Sequence, residues 1–238
     1  MGHYGYSVYM SVAEKKAKAE KAIAKLRKKN PDLQPVILEG KSLVKTWWGK
    51  SWNQNLESYA DYSNRISRGR SYVRNSAVLD LQIKKGSVHA LVQGSGRNPY
   101  EVIVQMDTLS GEKWRKVTNL CNGRIDSLEQ LIEGKFPKEL EVLFREKEYG
   151  LFPTPHEIHF ACSCPDYATM CKHVAAVLYG IGSRLDQNPM LFFELRDIDC
   201  QELLKKSMES KLENMMKNAG KKSDREIPEE DIFTIFGV

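Results

Sequence analysis

The sequence predicts an α+β fold: an antiparallel β meander with flanking helices, followed by a strand, loop and helix that carry metal ligands. Three observations carry this. Apolar residues recur with a period of two between Ala77 and Val104, and with a helical period on either side of that stretch. Four potential metal ligands also crowd into residues 162–173. The 238 residues, 41% of them hydrophobic, suffice to build a core. With 28% charged residues, no apolar run approaches the ~20 residues of a bilayer span, so no membrane role is expected.

The first helix is read over Val12 to Lys29, rich in Ala, Lys and Glu, closing at Asn30-Pro31, with a thin apolar face at Ala19, Ile23 and Leu26. A second runs from about Thr46 to Tyr59, where the four-residue steps from Trp48 through Trp52 to Leu56 mark a buried stripe. Three strands follow. Ala77, Leu79, Leu81 and Ile83 alternate with mostly polar residues before a Lys85-Gly86 turn. Val88, Ala90 and Val92 form the second strand, and Gly94 to Pro99 turns the chain into Tyr100, Val102 and Val104. Helical signals then return around Trp114, in a segment capped by Asp126, and in one opened by Pro137 that runs through Phe144.

The strongest chemical signal lies between Glu157 and Arg184. In an extended strand Ile158, Phe160, Cys162 and Cys164 share one face, so two apolar anchors lead directly into two thiols. Pro165 ends the strand, and Cys171 and His173 arrive where a helix must begin. That helix shows an apolar stripe at Val174, Val177, Leu178, Ile181 and Leu185. Residues two apart do not face each other within a helix, so Cys171 is expected at or just before the first turn, swinging back toward His173. Three thiolates and one imidazole fill a tetrahedron and leave no position for water. The expectation is one structural zinc rather than a catalytic one. Cys121 and Cys200 stand apart and read as packing residues.

Cys-x-Cys, six residues, then Cys-x-His resembles the SWIM zinc finger. The stretches TWWGKSW at Thr46 to Trp52, NRISRGRSYVR at Asn64 to Arg74, the turn Gly94 to Gly96, and DQNPMLFFELRDID at Asp186 to Asp199 are similar to segments of stand-alone prokaryotic SWIM proteins. The resemblance implies a zinc site at Cys162, Cys164, Cys171 and His173, and binding of nucleic acid or protein. It also implies association with Swi/Snf-type helicases and no catalytic activity.

Charge distribution points to nucleic acid independently. The net charge of +5 divides unevenly: residues 1–124 carry 22 Lys+Arg against 10 Asp+Glu, and residues 125–238 carry 14 against 21. Arg65, Arg68, Arg70 and Arg74 follow one another with no acidic residue from Tyr62 to Leu79. As a loop they read as a phosphate clamp, with Gly69 letting the backbone approach a ligand and Tyr72 able to stack. The lysines of the first helix could extend that surface. Equally, some of the arginines could pair with the acidic back half. Trp48 and Trp52 are read as core, Trp47 as an exposed stacking surface, and Trp114 as either.

No enzyme signal survives. Gly49-Lys50-Ser51 lacks the glycine of a phosphate-binding loop, since Val44 stands there, and Gly94-Ser95-Gly96 is explained by a hairpin. His156 and His159 read as surface residues. No small-molecule substrate is expected. A targeting signal is not evident, and clustered thiols suit a reducing compartment, so the cytoplasm is the expected address. The expected organisation is a basic domain at 1–150, the finger with its following helices at 151–217, and a linker with an acidic-hydrophobic tail at 218–238. Two functions compete. One is a zinc-stapled nucleic-acid-binding accessory protein, DNA before RNA, whose finger faces a protein. The other is a protein-interaction module with no nucleic-acid contact.

Overall fold

A computed structural model describes residues 10–38, 40, 42–58, 63–121, 128–135, 138–146, 150–166 and 168–218. The elements run α1 (Val12–Arg27), α2 (Trp47–Glu57), α3 (Ser63–Arg74), β1 (Val78–Lys84), β2 (Ser87–Val92) and β3 (Tyr100–Met106). Then come α4 (Gly111–Cys121), α5 (Leu128–Glu133), α6 (Lys138–Arg145), β4 (Ile158–Cys162), α7 (Lys172–Gln187), α8 (Met190–Leu195) and α9 (Cys200–Asn218). Asp126, Pro137 and the tail beyond Asn218 lie outside the described residues, as does the side chain of Cys121. No helix among the described residues is long and apolar enough to cross a membrane.

The meander forms, and a fourth strand joins it. The sheet order is β1-β2-β3-β4, antiparallel throughout, with Val102 opposite Cys162 and Val104 opposite Phe160. A chain division at residue 150 therefore falls inside one sheet. One buried cluster also holds Trp48, Val73 and Val104 together with Leu178, Phe192 and Leu204, so residues 1–150 and 151–217 share a core rather than forming separate domains.

A break in strand register between Val78 and Asp80 changes the parity read from the sequence. Val78 and Leu81 enter the main cluster, while Leu79 turns to the other face and packs with Ala19, Ile23 and Leu33. Both faces of β1 are covered as a result, one of them by α1. Helix α1 itself starts with a full capping box between Ser11 and Glu14 and buries Ala19 and Ile23.

Helix α7 departs most from expectation. The sequence shows a stripe, but every residue from His173 to Ser183 is buried. Small residues make this possible. A Cβ on Gly180 would stand 2.7 Å from Leu81 Cδ1, and one on Gly182 would stand 2.5 Å from Asn53 Oδ1. Helix α3 crosses the other side through Gly69, where a Cβ would stand 2.6 Å from the Ala175 Cβ. The finger's helix is thus the central post of the fold. Its buried stretch has no free face, and the finger's exposed residues lie on the strand end and loop, at Ala161, Ser163, Pro165 and Thr169.

Tryptophans anchor this post. Trp52 Nε1 donates to the Leu178 carbonyl at 2.8 Å, and Trp48 Nε1 donates to the Leu131 carbonyl at 2.9 Å. Trp48 packs among Phe144, Phe152, Phe192 and Phe193. Trp47, expected as an exposed stacking surface, is half-buried against Trp48, Phe144 and Phe152. The cause is its place at the first turn of α2, where the aromatic cluster reaches around Trp48.

Candidate metal centre

Strand pairing delivers the first two thiols. β4 alternates as the sequence requires: Ile158 is buried, His159 and Ala161 are exposed, Phe160 and Cys162 are half-buried. Pairing continues one residue further, since Ser163 N donates to the Glu101 carbonyl at 3.0 Å and Glu101 N to Ser163 Oγ at 2.9 Å. Cys164 follows just beyond. The other two ligands come from the start of α7. Cys171 is its N-cap, extended at φ −79° and ψ 171°, and His173 lies in the first turn. That half-in conformation lets two residues so close in sequence converge on one point.

The donor atoms of Cys162, Cys164, Cys171 and His173 all lie within 4.8 Å of one another. His173 Nδ1 is 3.9 Å from Cys162 Sγ and 3.8 Å from Cys171 Sγ. Zinc with sulfur at ~2.3 Å and nitrogen at ~2.0–2.1 Å has donor edges of roughly 3.5–3.8 Å, so the edges from His173 to Cys162 and Cys171 already nearly match and the widest separation must close by about 1 Å at most.

The electrostatics of the donor set point the same way. The Cys171 thiol is drawn down to about 3, first by the hydrogen bond from Cys162, against the cost of burial, and then by His173 and the backbone N–H of Val174. Backbone N–H groups at a helix start favour negative charge there. The Cys162 thiol is pushed strongly upward, first by the same interaction with Cys171 and then by burial. With Cys171 favoured as the thiolate, the neighbouring Cys162 resists a second charge. A divalent cation reverses that opposition by accepting all three as thiolates. The residues fit one structural zinc, and four protein donors fill its shell.

Two tyrosines hold the imidazole. Tyr100 lies 4.6 Å from the His173 ring and tilted, and Tyr72 meets it edge-on at 5.4 Å. Gly94 completes the enclosure, because a Cβ there would sit 2.4 Å from Tyr100 Cε2 and 3.2 Å from His173 Nε2. Sequence reading gave Gly94 a turn role only. The close approach it permits depends on β2 and β3 meeting α7, which no local pattern encodes.

The four arginines of the expected clamp divide. They stand on helix α3, not on a loop. Arg65 pairs with Asp166 at 3.0 Å. Arg70 donates to the Tyr179 hydroxyl at 2.7 Å and pairs with Glu57 at 2.6 Å. The Tyr179 hydroxyl in turn donates to Glu57 at 2.7 Å, and burial followed by that carboxylate pushes its titration upward. Arg68 and Arg74 are exposed and make no ion pair among the described residues. Gly69 is explained by the α3–α7 crossing rather than by a ligand.

Arg196 escaped the sequence reading. It is fully buried, donating to the Asp107 carbonyl at 2.7 Å and pairing with Glu157 at 3.0 Å. Glu157 also meets Lys113 at 3.1 Å and caps Thr154. This network joins α4 and α8 to the turn before β4, and so fixes the strand that carries Cys162. His156 and His159 are exposed, and His159 reaches Asp107 at 3.0 Å. Cys200 is buried as a packing residue.

A Cys3His cluster spanning a strand end and a helix start defines a zinc finger, and residues 161–180 match the SWIM zinc finger. The chain is 34% identical over 164 residues to the uncharacterized protein Rv2102 of Mycobacterium tuberculosis. That similarity covers 68% of this chain and 59% of the mycobacterial protein. No solved structure matches.

Proposed function

We propose that this is a zinc-stapled, non-enzymatic DNA-binding accessory protein that works beside a Swi/Snf-type helicase. One observation carries the reading: α1 and α3 border a common cleft, lined by Lys15 and Lys18 from one and by Ser71, Tyr72 and Asn75 from the other. Arg68 and Arg74 are exposed and each stands three residues from Ser71 on α3, so on this reading they extend the cleft's basic surface. Such a surface suits phosphate oxygens and binds with a steep salt dependence. The zinc has no role in phosphate contact. It ties β4 to α7, and α7 supports α3 from behind. With its metal shell filled by protein donors, the centre has no position for an activated water, which favours a non-catalytic role. Ligands kept as thiols fit a reducing compartment such as the cytoplasm.

Reversal of Arg68 and Arg74 to Glu tests this. The salt slope for DNA binding falls by about 1.4–1.8, as expected for two lost phosphate contacts, with unfolding unchanged. Reversal of Arg65 or Arg70 destabilises the fold instead. An unaltered slope after the first pair of reversals refutes the clamp.

A protein-interaction role has its own support at the other end of the chain. Helix α9 exposes Met208, Leu212, Met215 and Met216, all more than half accessible. Capture of a helicase that survives nuclease treatment separates a protein contact there from co-binding to DNA.

A further inference from the structure

The cleft between α1 and α3 has a floor that phosphate contacts alone leave unexplained. It is a cavity of about 360 Å³, near the low end of the ~300–1,000 Å³ typical of small-ligand sites. Asn75 and Gln93 line it, each only 7% exposed. Asn75 Nδ2 reaches Ser71 Oγ at 3.4 Å, and Gln93 Nε2 donates to the carbonyls of Gly94 and Gly96, both at 3.0 Å. The amide oxygens of both residues make no hydrogen bond among the described residues. Amide oxygens on residues that line a cavity can accept from a guest that bears N–H donors. Tyr72 supplies a flat wall, held edge-on to His173. Lys18 fixes the opposite rim by donating to the carbonyls of Gly94, Ser95 and Gly96 at 3.4, 3.2 and 3.1 Å.

A planar group with N–H donors on its edge, tethered to phosphates, meets all of these features. Along α3, Arg68, Ser71, Tyr72 and Asn75 follow at helical spacing, so the exposed Arg68 stands one turn from the cavity mouth and Arg74 flanks it. Every nucleobase has such an edge, but in a duplex it is paired and stacked. In a single strand it is free to enter a pocket. We propose that the cavity between α1 and α3 takes one unstacked base of single-stranded DNA whose phosphates run past Arg68 and Arg74. The proposal rests on the nucleic-acid reading above and narrows it to a strand class.

The test compares zinc-loaded protein binding to a fluorescent oligothymidine and to an abasic strand of equal length and charge, read by anisotropy. The base-bearing strand binds at least about tenfold tighter, in line with the energy of base stacking. Ser71→Trp, an exposed position on α3, fills the mouth and erases that difference. It leaves zinc content and circular dichroism unchanged, and a loss of abasic binding as large as the loss of base-bearing binding overturns the pocket. Equal binding of both strands by the wild-type protein, with normal salt dependence, overturns the pocket and leaves the phosphate reading standing. Binding of neither strand overturns both. Free thymidine monophosphate competes only weakly, and displacement as potent as that by the strand itself overturns the strand assignment.

Discussion

Replacing Gly69 with alanine sets two effects of opposite sign against each other. On an exposed helix the change stabilises by ~1 kcal/mol, because glycine is the poorer helix former. At this crossing the new Cβ would stand 2.6 Å from Ala175 Cβ, 2.8 Å from the Ala175 carbonyl carbon and 3.0 Å from Ala176 N. Non-bonded carbons prefer ~3.5–4.0 Å, so α3 must retreat from α7 by about 1 Å. Overpacking of this kind costs ~1–3 kcal/mol, toward the upper end when the obstacle is backbone. The net expectation is a loss of about 1–2 kcal/mol, or roughly 2–8 °C in Tm for a chain of this size. Thermal unfolding of zinc-loaded protein, followed by circular dichroism, measures it, with Arg68→Ala at the exposed neighbour as the control. Zinc affinity falls alongside, since Cys171 and His173 open α7, which loses the support of α3 along this crossing. A rise in Tm would falsify the packing role and restore Gly69 as a ligand-facing glycine.

Zinc removal by a chelator at neutral pH unfolds the region around β4 and α7, because a structural site supplies ~10–16 kcal/mol of apparent binding energy. Far-ultraviolet circular dichroism falls and returns on adding zinc, and an unchanged spectrum contradicts a structural metal. The Glu157 network gives stability its acid dependence. Burial opposes the charge of Glu157, but the Thr154 backbone, Arg196 and Lys113 outweigh it and hold the carboxyl down to about 2. The contribution, at most about 3 kcal/mol, is complete above the ordinary carboxylate range near pH ~4.3 and drains away as pH falls toward 2. Urea midpoints of wild type and Glu157→Gln converge over that window, and a constant gap counts against the assignment.

The elements legible in advance were those set by local chemistry. Ala19 and Ile23 mark the buried face of α1, Trp48, Trp52 and Leu56 mark α2, and the alternation through β2 and β3 survives unchanged. The ligand set was legible for the same reason. Cys-x-Cys on a strand and Cys-x-His at a helix start bring donors together over a handful of residues. The arginine helix was not: Arg65, Arg68, Arg70 and Arg74 are alike in the sequence. Their roles separate only because Asp166, Glu57 and Tyr179 arrive from distant segments.

The sequence by itself determined most of the secondary elements, though not helix α3, together with the zinc chemistry and the uneven distribution of charge, all consequences of neighbours within a turn or a strand. Tertiary structure alone decided that α7 is buried all round, that Gly69, Gly94, Gly180 and Gly182 are contact points, and that Arg196 lies in the interior. It also decided which arginines face solvent and that α1 and α3 enclose a cavity. These are properties of surfaces brought together by packing, and burial depends on what covers a residue from outside its own segment.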